Sequence, residues 1–232
     1  GSPMTKPDDH HVIDENVRLA VYRTFANMGR CLSRDEIADA LDLDRKTVDE
    51  SFERIAEQRY VALGDDGTVL MAHPFSSIPL GFSVMGADTL WWGGCAWDSF
   101  AIPCLVPADD DVLVATRCPG CDTPLAWVVG NDGPPAGDEV AHFLTPMADV
   151  WADVVHTCNN QRLFCNESCV NRWLEDSGNT KGYVMDLATL WRLAARWYAG
   201  RLDYGYTRRD PETAAEYFRS VGLTGSFWGL PD

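Results

Sequence analysis

Two cysteine pairs, Cys118-x-x-Cys121 and Cys165-x-x-x-Cys169, constrain this chain more than any other feature, because one metal ion would force segments over forty positions apart into contact. The first pair is a knuckle whose Pro119-Gly120 turn lets both sulfurs reach a single ion. The second pair sits where the apolar run Leu163-Phe164 meets a helix opened by Asn166. Tetrahedral zinc takes four thiolates at roughly 2.3 Å and is closed by them, so the set predicts a structural rather than a catalytic Zn(II). A dithiol redox pair, or unconnected core cysteines, are the competing readings.

Eight cysteines in 232 residues could also form four disulfides. No basic-apolar-small succession of a secretory leader is apparent, and no apolar run approaches the roughly 18 residues that span a bilayer. The expectation is therefore a cytoplasmic chain whose thiols bind metal or do chemistry. Gly1-Ser2-Pro3 ahead of Met4 reads as an expression remnant. A net charge of −16 repels nucleic acid and anionic membrane, so neither is an expected partner. A hydrophobic fraction of 46% is ample for a core.

Residues 4–13 read as a disordered lead. Apolar spacing predicts a helix from Asp14 to Met28, a capping box Ser33/Glu36 opens a short second helix, and Asp44 caps a third. Tyr60–Leu63 and Thr68–Met71 flank the turn 64–67 as a hairpin, which completes a winged-helix-like unit. Its acids, among them Asp35, Glu36, Asp49 and Glu53, outnumber Arg34, Arg45, Lys46 and Arg54, which favours a structural or docking role over DNA binding. Further strands are expected near 111–116, 125–129, 142–144, 163–164 and 181–187, with helices over 167–176, 187–198 and 211–220. The fold class is α+β: a helical winged-helix-like domain (14–75), a mixed-sheet domain with flanking helices and a structural zinc site (76–200), and a C-terminal extension (201–232).

The segment Trp91-Trp92-Gly93-Gly94-Cys95-Ala96-Trp97-Asp98 places a thiol and a carboxylate three residues apart in an otherwise uncharged run. On one helical turn, or at a corner opened by the glycines, both point the same way. Trp91, Trp92 and Trp97 would wall the pair in apolar surface, which disfavours charged forms. The plainer alternative makes Cys95 a small buried hydrophobe and Asp98 the cap of a helix starting at Ser99. A further thiol, Cys158, ends another element; two thiolates would hold a soft ion such as Hg(II) well, although nothing in the spacing brings 95 and 158 together.

Taken with the front unit, the motifs Cys95-Ala96-Trp97-Asp98-Ser99-Phe100, Arg117-Cys118-Pro119-Gly120-Cys121 and Cys158-Asn159-Asn160-Gln161-Arg162-Leu163-Phe164 resemble the organomercurial (alkylmercury) lyases over roughly residues 14–200. The resemblance implies protonolytic cleavage of carbon–mercury bonds, giving Hg(II) and a hydrocarbon. It implies Cys95, Asp98 and Cys158 as the catalytic, mercury-binding set, small organomercurials as substrates and low-molecular-weight thiols as co-substrates that carry the ion away. The chain departs from the family pattern at Cys121, Cys165 and Cys169, which add thiols, and at Asn159, where one branch has a second cysteine. The alternatives are a cysteine-dependent lyase for a non-mercurial metabolite and a non-enzymatic, metal-responsive protein.

Overall fold

The computed structural model describes residues 7–107 and 111–232. The first helix, α1 (Pro7–Met28), begins seven residues before the expected Asp14, so positions 7–13 are helical rather than a disordered lead; positions 4–6 lie outside the described residues. Proline at a first helical position costs little, since its missing N–H would have no partner there. Val17, Val21, Tyr22 and Phe25 form the buried stripe of α1, and Gly29, at φ +74°, ends it where a Cβ would collide with the Leu90 carbonyl oxygen. The capping box at Ser33 and Glu36 opens α2 (Arg34–Leu41), and Asp44 accepts from the Thr47 N–H to open α3 (Arg45–Glu57).

The hairpin follows as β1 (Ala62–Leu63) and β2 (Val69–Ala72), and then β3 (Phe75–Ser76), β4 (Ser83–Met85) and β5 (Leu90–Gly93). Helix α4 (Ala96–Leu105) leads to β6 (Val112–Arg117) and β7 (Pro124–Val129). Next come β8 (Val140–Phe143), a 3-10 turn (Met147–Ala152), α5 (Val154–Asn159), β9 (Gln161–Phe164) and α6 (Glu167–Ser177). The chain closes with β10 (Tyr183–Asp186), α7 (Leu187–Trp197), α8 (Pro211–Ser220) and a 3-10 turn at Ser226–Trp228.

Seven strands form one sheet in the order β1-β2-β3-β5-β4-β6-β7, and three form another, β10-β8-β9. The α+β class is as expected, and the sheet is mixed in strand order rather than direction: every ladder among the described residues is antiparallel. The hairpin is continuous with the larger sheet, because β2 pairs with β3 and β3 with β5. In β7 the alternation buries Leu125, Trp127 and Val129 and leaves Val128 outward, as a half-covered antiparallel strand requires.

Helix α4 is buried at every position from Ala96 to Pro103, and it packs against α7 and strands of both sheets. A helix without a polar face can be stable in water only in such a central place. The tail folds back onto it: Trp97 lies 5.1 Å from Trp197 and 6.0 Å from Trp228, and Phe218 lies 5.0 Å from Trp228. Residues beyond 200 are thereby part of the packing around α4, through Phe218, Leu223, Trp228 and Leu230.

Candidate active site

The corner between β5 and α4 is made by Gly93 and Gly94, and neither tolerates a side chain. A Cβ on Gly93 would lie 2.8 Å from the Ser99 Cα, and one on Gly94 would lie 2.7 Å from Asp98 Oδ2. This tight corner leaves Cys95 extended as the N-cap of α4, with its Sγ accepting from the Asp98 N–H at 3.3 Å. The helix therefore starts at Ala96 rather than Ser99, and the cap is the sulfur rather than the carboxylate. Asp98 falls in the first turn, pointing back to the same spot.

Asp153 caps α5 and Thr157 donates to the Val150 carbonyl, which fixes the helix that carries Cys158 inward. Cys95 and Cys158 line the same cavity, and Cys158 Sγ is 3.5 Å from His73 Nε2. Cys95, Asp98 and Cys158 are thus buried along one cavity, and His73, Asp98 and Cys158 have ligand atoms within 4.8 Å of one another. His73, in the tight link between β2 and β3, reads in the sequence only as an exit from the hairpin.

Two residues just beyond α7 complete the set. The Tyr198 hydroxyl donates to Asp98 Oδ1, while Asp98 Oδ2 is buried with no hydrogen-bond partner. Beneath Tyr198, the buried Arg201 guanidinium lies 4.6 Å from its ring centroid and donates to the His73 carbonyl at 2.9 Å. Neither residue carries a motif: Tyr198 is 100 positions from Asp98 and Arg201 is 128 from His73, and only the return of α7 across α4 joins them.

The two thiols are unequal. Burial, the hydrogen bond with Cys158 and the Asp98 charge push the Cys95 thiol well above its ordinary range. Cys158 is held at about 7 by the Cys95 hydrogen bond and, against burial, by His73. Burial alone would depress His73, but Asp98 and Cys158 together raise it, favouring an imidazolium beside a Cys158 thiolate. Alkylation of Cys158 by iodoacetamide, followed by peptide mass, should therefore rise with pH to a midpoint near 7, since the thiolate is the reactive form. His73→Asn should move that midpoint upward, and Cys95 should stay unmodified across the same range.

A cavity of about 80 Å³ opens above the sulfurs, lined by Trp97, Met147, Val150, Trp151, Val154 and Trp197 as its apolar walls. The expected wall of Trp91 and Trp92 is corrected by the strand geometry. Trp91 turns to α1, donating to the Phe25 and Ala26 carbonyls, and Trp92 faces a separate groove beside Phe82 and Arg117.

Elsewhere, Cys118, Cys121, Cys165 and Cys169 have sulfurs within 4.8 Å of one another. Cys121 and Cys165 are 3.6 Å apart, close to the ~3.8 Å between thiolates of a tetrahedral zinc. Gly120 is required there, as a Cβ would lie 2.4 Å from the Cys169 carbonyl oxygen. All eight cysteines are free thiols, and the donor chemistry of this set fits a structural zinc.

No helix among the described residues is long and apolar enough to cross a membrane. A crystal structure of the mercury-bound form of MerB2 shares the fold, with a TM-score of 0.63 at 18% identity over 84% of this chain and 100% of that one. No curated protein matches the sequence. The family model described as alkylmercury lyase (MerB) matches residues 75–199. That segment holds Cys95, Asp98, Cys158 and the four-cysteine cluster and spans more than half of the 232 residues, so the chain belongs to the alkylmercury lyase family.

Proposed function

We propose that this protein cleaves carbon–mercury bonds, releasing a hydrocarbon and Hg(II), with Cys95, Asp98 and Cys158 as its catalytic residues. The observation that carries the reading is a single cavity lined by Cys95, Cys158 and Asp98, whose carboxylate has one buried, unpartnered oxygen. Mercury enters as the substrate's own metal.

Cys158, the readier thiolate, attacks the mercury of R–Hg–X and displaces X, a thiolate from solution. Cys95 passes its proton to Asp98 Oδ2, and its sulfur becomes the second thiolate on the metal. Two soft donors push electron density onto the bound carbon. Asp98 then delivers the proton to that carbon, and the electron pair of the breaking bond leaves with it as R–H. No atom changes oxidation state overall: mercury remains Hg(II), now bridging two sulfurs. Two low-molecular-weight thiols exchange it away and return protons to the site.

Tyr198 occupies Asp98 Oδ1 and so leaves Oδ2 as the oxygen that carries the proton. The aromatic walls keep water from competing for it. In this reading residues 14–75 supply His73 as well as shape, 76–200 supply the sulfur chemistry, and 201–232 close the pocket. A zinc held by Cys118, Cys121, Cys165 and Cys169 would pin the β7 knuckle to the start of α6, and a reducing cytoplasm would keep all eight thiols usable.

The test is benzene release from phenylmercury in excess thiol. Asp98→Asn should still retain mercury, since both sulfurs remain, but its turnover should fall by about 10²–10⁴-fold with the loss of proton transfer. Equal benzene release by wild type and Asp98→Asn would remove the carboxylate's role. No benzene from reduced, metallated wild type would shift the reading to a metabolite lyase.

A further inference from the structure

Three arginines line the same cavity: Arg59, Arg201 and Arg208. Acids outnumber bases 35 to 19 in this chain, so a cation should find a carboxylate easily. Yet among the described residues none of these three has an acid within ion-pair distance, while Arg18, Arg34, Arg45 and Arg54 all do. Arg208 instead lies within the repulsive field of both Arg201 and Arg59. Like charges gathered at one opening oppose each other and are best relieved by an anion.

The arrangement has a definite form. Arg59 holds a left-handed backbone, φ 64°, just after α3, a conformation that disfavours a side-chain-bearing residue. Its guanidinium lies 5.5 Å from the Trp151 ring centroid, and that of Arg208 lies 5.3 Å from the same centroid. Among the described residues Arg208 is otherwise tethered only through a long bond to the Gln58 carbonyl, 3.4 Å. Deeper in, Arg201 is 5% exposed and gives its terminal nitrogens to His73 and Tyr206, but its Nε is buried without a partner. Arg59, Arg201 and Arg208 all fall outside the family segment 75–199.

We propose that the mouth of the cavity is a carboxylate-binding subsite, built by Arg59 and Arg208 about Trp151 and backed by the charge of Arg201. The guanidinium fork suits a planar carboxylate, which it can grip through two parallel hydrogen bonds. The cavity then recognises a small amphipathic molecule end to end: a soft atom on the sulfurs, a hydrocarbon body against Trp151, Val150 and Val154, and a carboxylate at the arginines. This deepens the lyase reading and rests on it for the identity of the soft atom. The carboxylate has two possible carriers, the organic group on mercury or the thiol that collects the ion.

The experiment compares wild type with Arg59→Gln/Arg208→Gln in three arms. In the first, benzoate is titrated into the resting protein by calorimetry; the double variant should bind it about tenfold more weakly, as loss of charge-assisted hydrogen bonds implies. In the second, turnover of 4-carboxyphenylmercury is divided by that of phenylmercury, both in 2-mercaptoethanol. In the third, phenylmercury turnover in mercaptoacetate is divided by that in 2-mercaptoethanol. Collapse of the second ratio in the variant assigns the carboxylate to the organic group, and collapse of the third assigns it to the thiol. Equal benzoate affinity in both proteins, with neither ratio moved, overturns the subsite. Should wild type release no benzene at all, the lyase reading fails and benzoate binding alone decides the subsite. Arg59→Gln, at an exposed position, repeats the comparison if the Arg208 change disturbs its loop.

Discussion

Cys158→Ser protein should release benzene from phenylmercury at least ~10³-fold more slowly than wild type, and Cys95→Ser should be equally inactive, yet the two should fail at different steps. Cys158 is held near 7, so in the proposed mechanism it is the sulfur that captures the organomercurial. Serine there is neither soft nor ionised, and capture is lost. Cys95 keeps its proton through burial and the Cys158 hydrogen bond, so in Cys95→Ser capture goes on while the second thiolate never forms. Intact-mass measurement after brief exposure to phenylmercury should accordingly find a phenylmercury adduct on Cys95→Ser, removable by excess thiol, and little specific adduct on Cys158→Ser once the four-cysteine cluster is metallated. Wild-type turnover by either variant would sink the two-sulfur mechanism, and an adduct pattern of the opposite sense would reverse the order of attack.

The second large effect concerns the cluster of Cys118, Cys121, Cys165 and Cys169. Elemental analysis of wild type should return about one zinc per chain, since four thiolates in this geometry saturate one tetrahedral ion. Cys118→Ser or Cys169→Ser should lose most of that zinc and lower the melting temperature by roughly 10 °C, on the order of a structural metal's contribution in a chain this long. These two sulfurs are buried, so the unmetallated variant also leaves an uncompensated gap between the β7 knuckle and α6. Cys95→Ser should keep its zinc, because none of the four cluster cysteines lines the cavity. A stable wild-type chain without zinc would refute the site.

Features set by local chemistry were legible in the sequence. The Ser33/Glu36 box, the Asp44 and Asn166 caps and the Cys95–Asp98 spacing each depend on residues within one turn, and each is where the sequence places it. The four-cysteine set was legible for a different reason: few arrangements satisfy that spacing other than one shared ion. What escaped was long-range. His73 meets Cys158 across 85 positions and Tyr198 meets Asp98 across 100, and no periodicity records such meetings. The tryptophan wall is only partly realised because composition carries no direction. Successive residues of β5 face opposite ways, so Trp91 and Trp92 could never both line one pocket. The convergence of Cys95 with Cys158 came only through the family resemblance, since spacing alone left it open.

The sulfur that begins α4 also has a mechanical consequence. Cys95 Sγ ties down the backbone of the very residue proposed to move the proton, through the Asp98 N–H. A metal drawing on the lone pairs of that sulfur weakens this tether. Loading the pocket and loosening the opening turn of the helix are then one event, so amide exchange at Asp98 should report occupancy directly, without any label on the cargo.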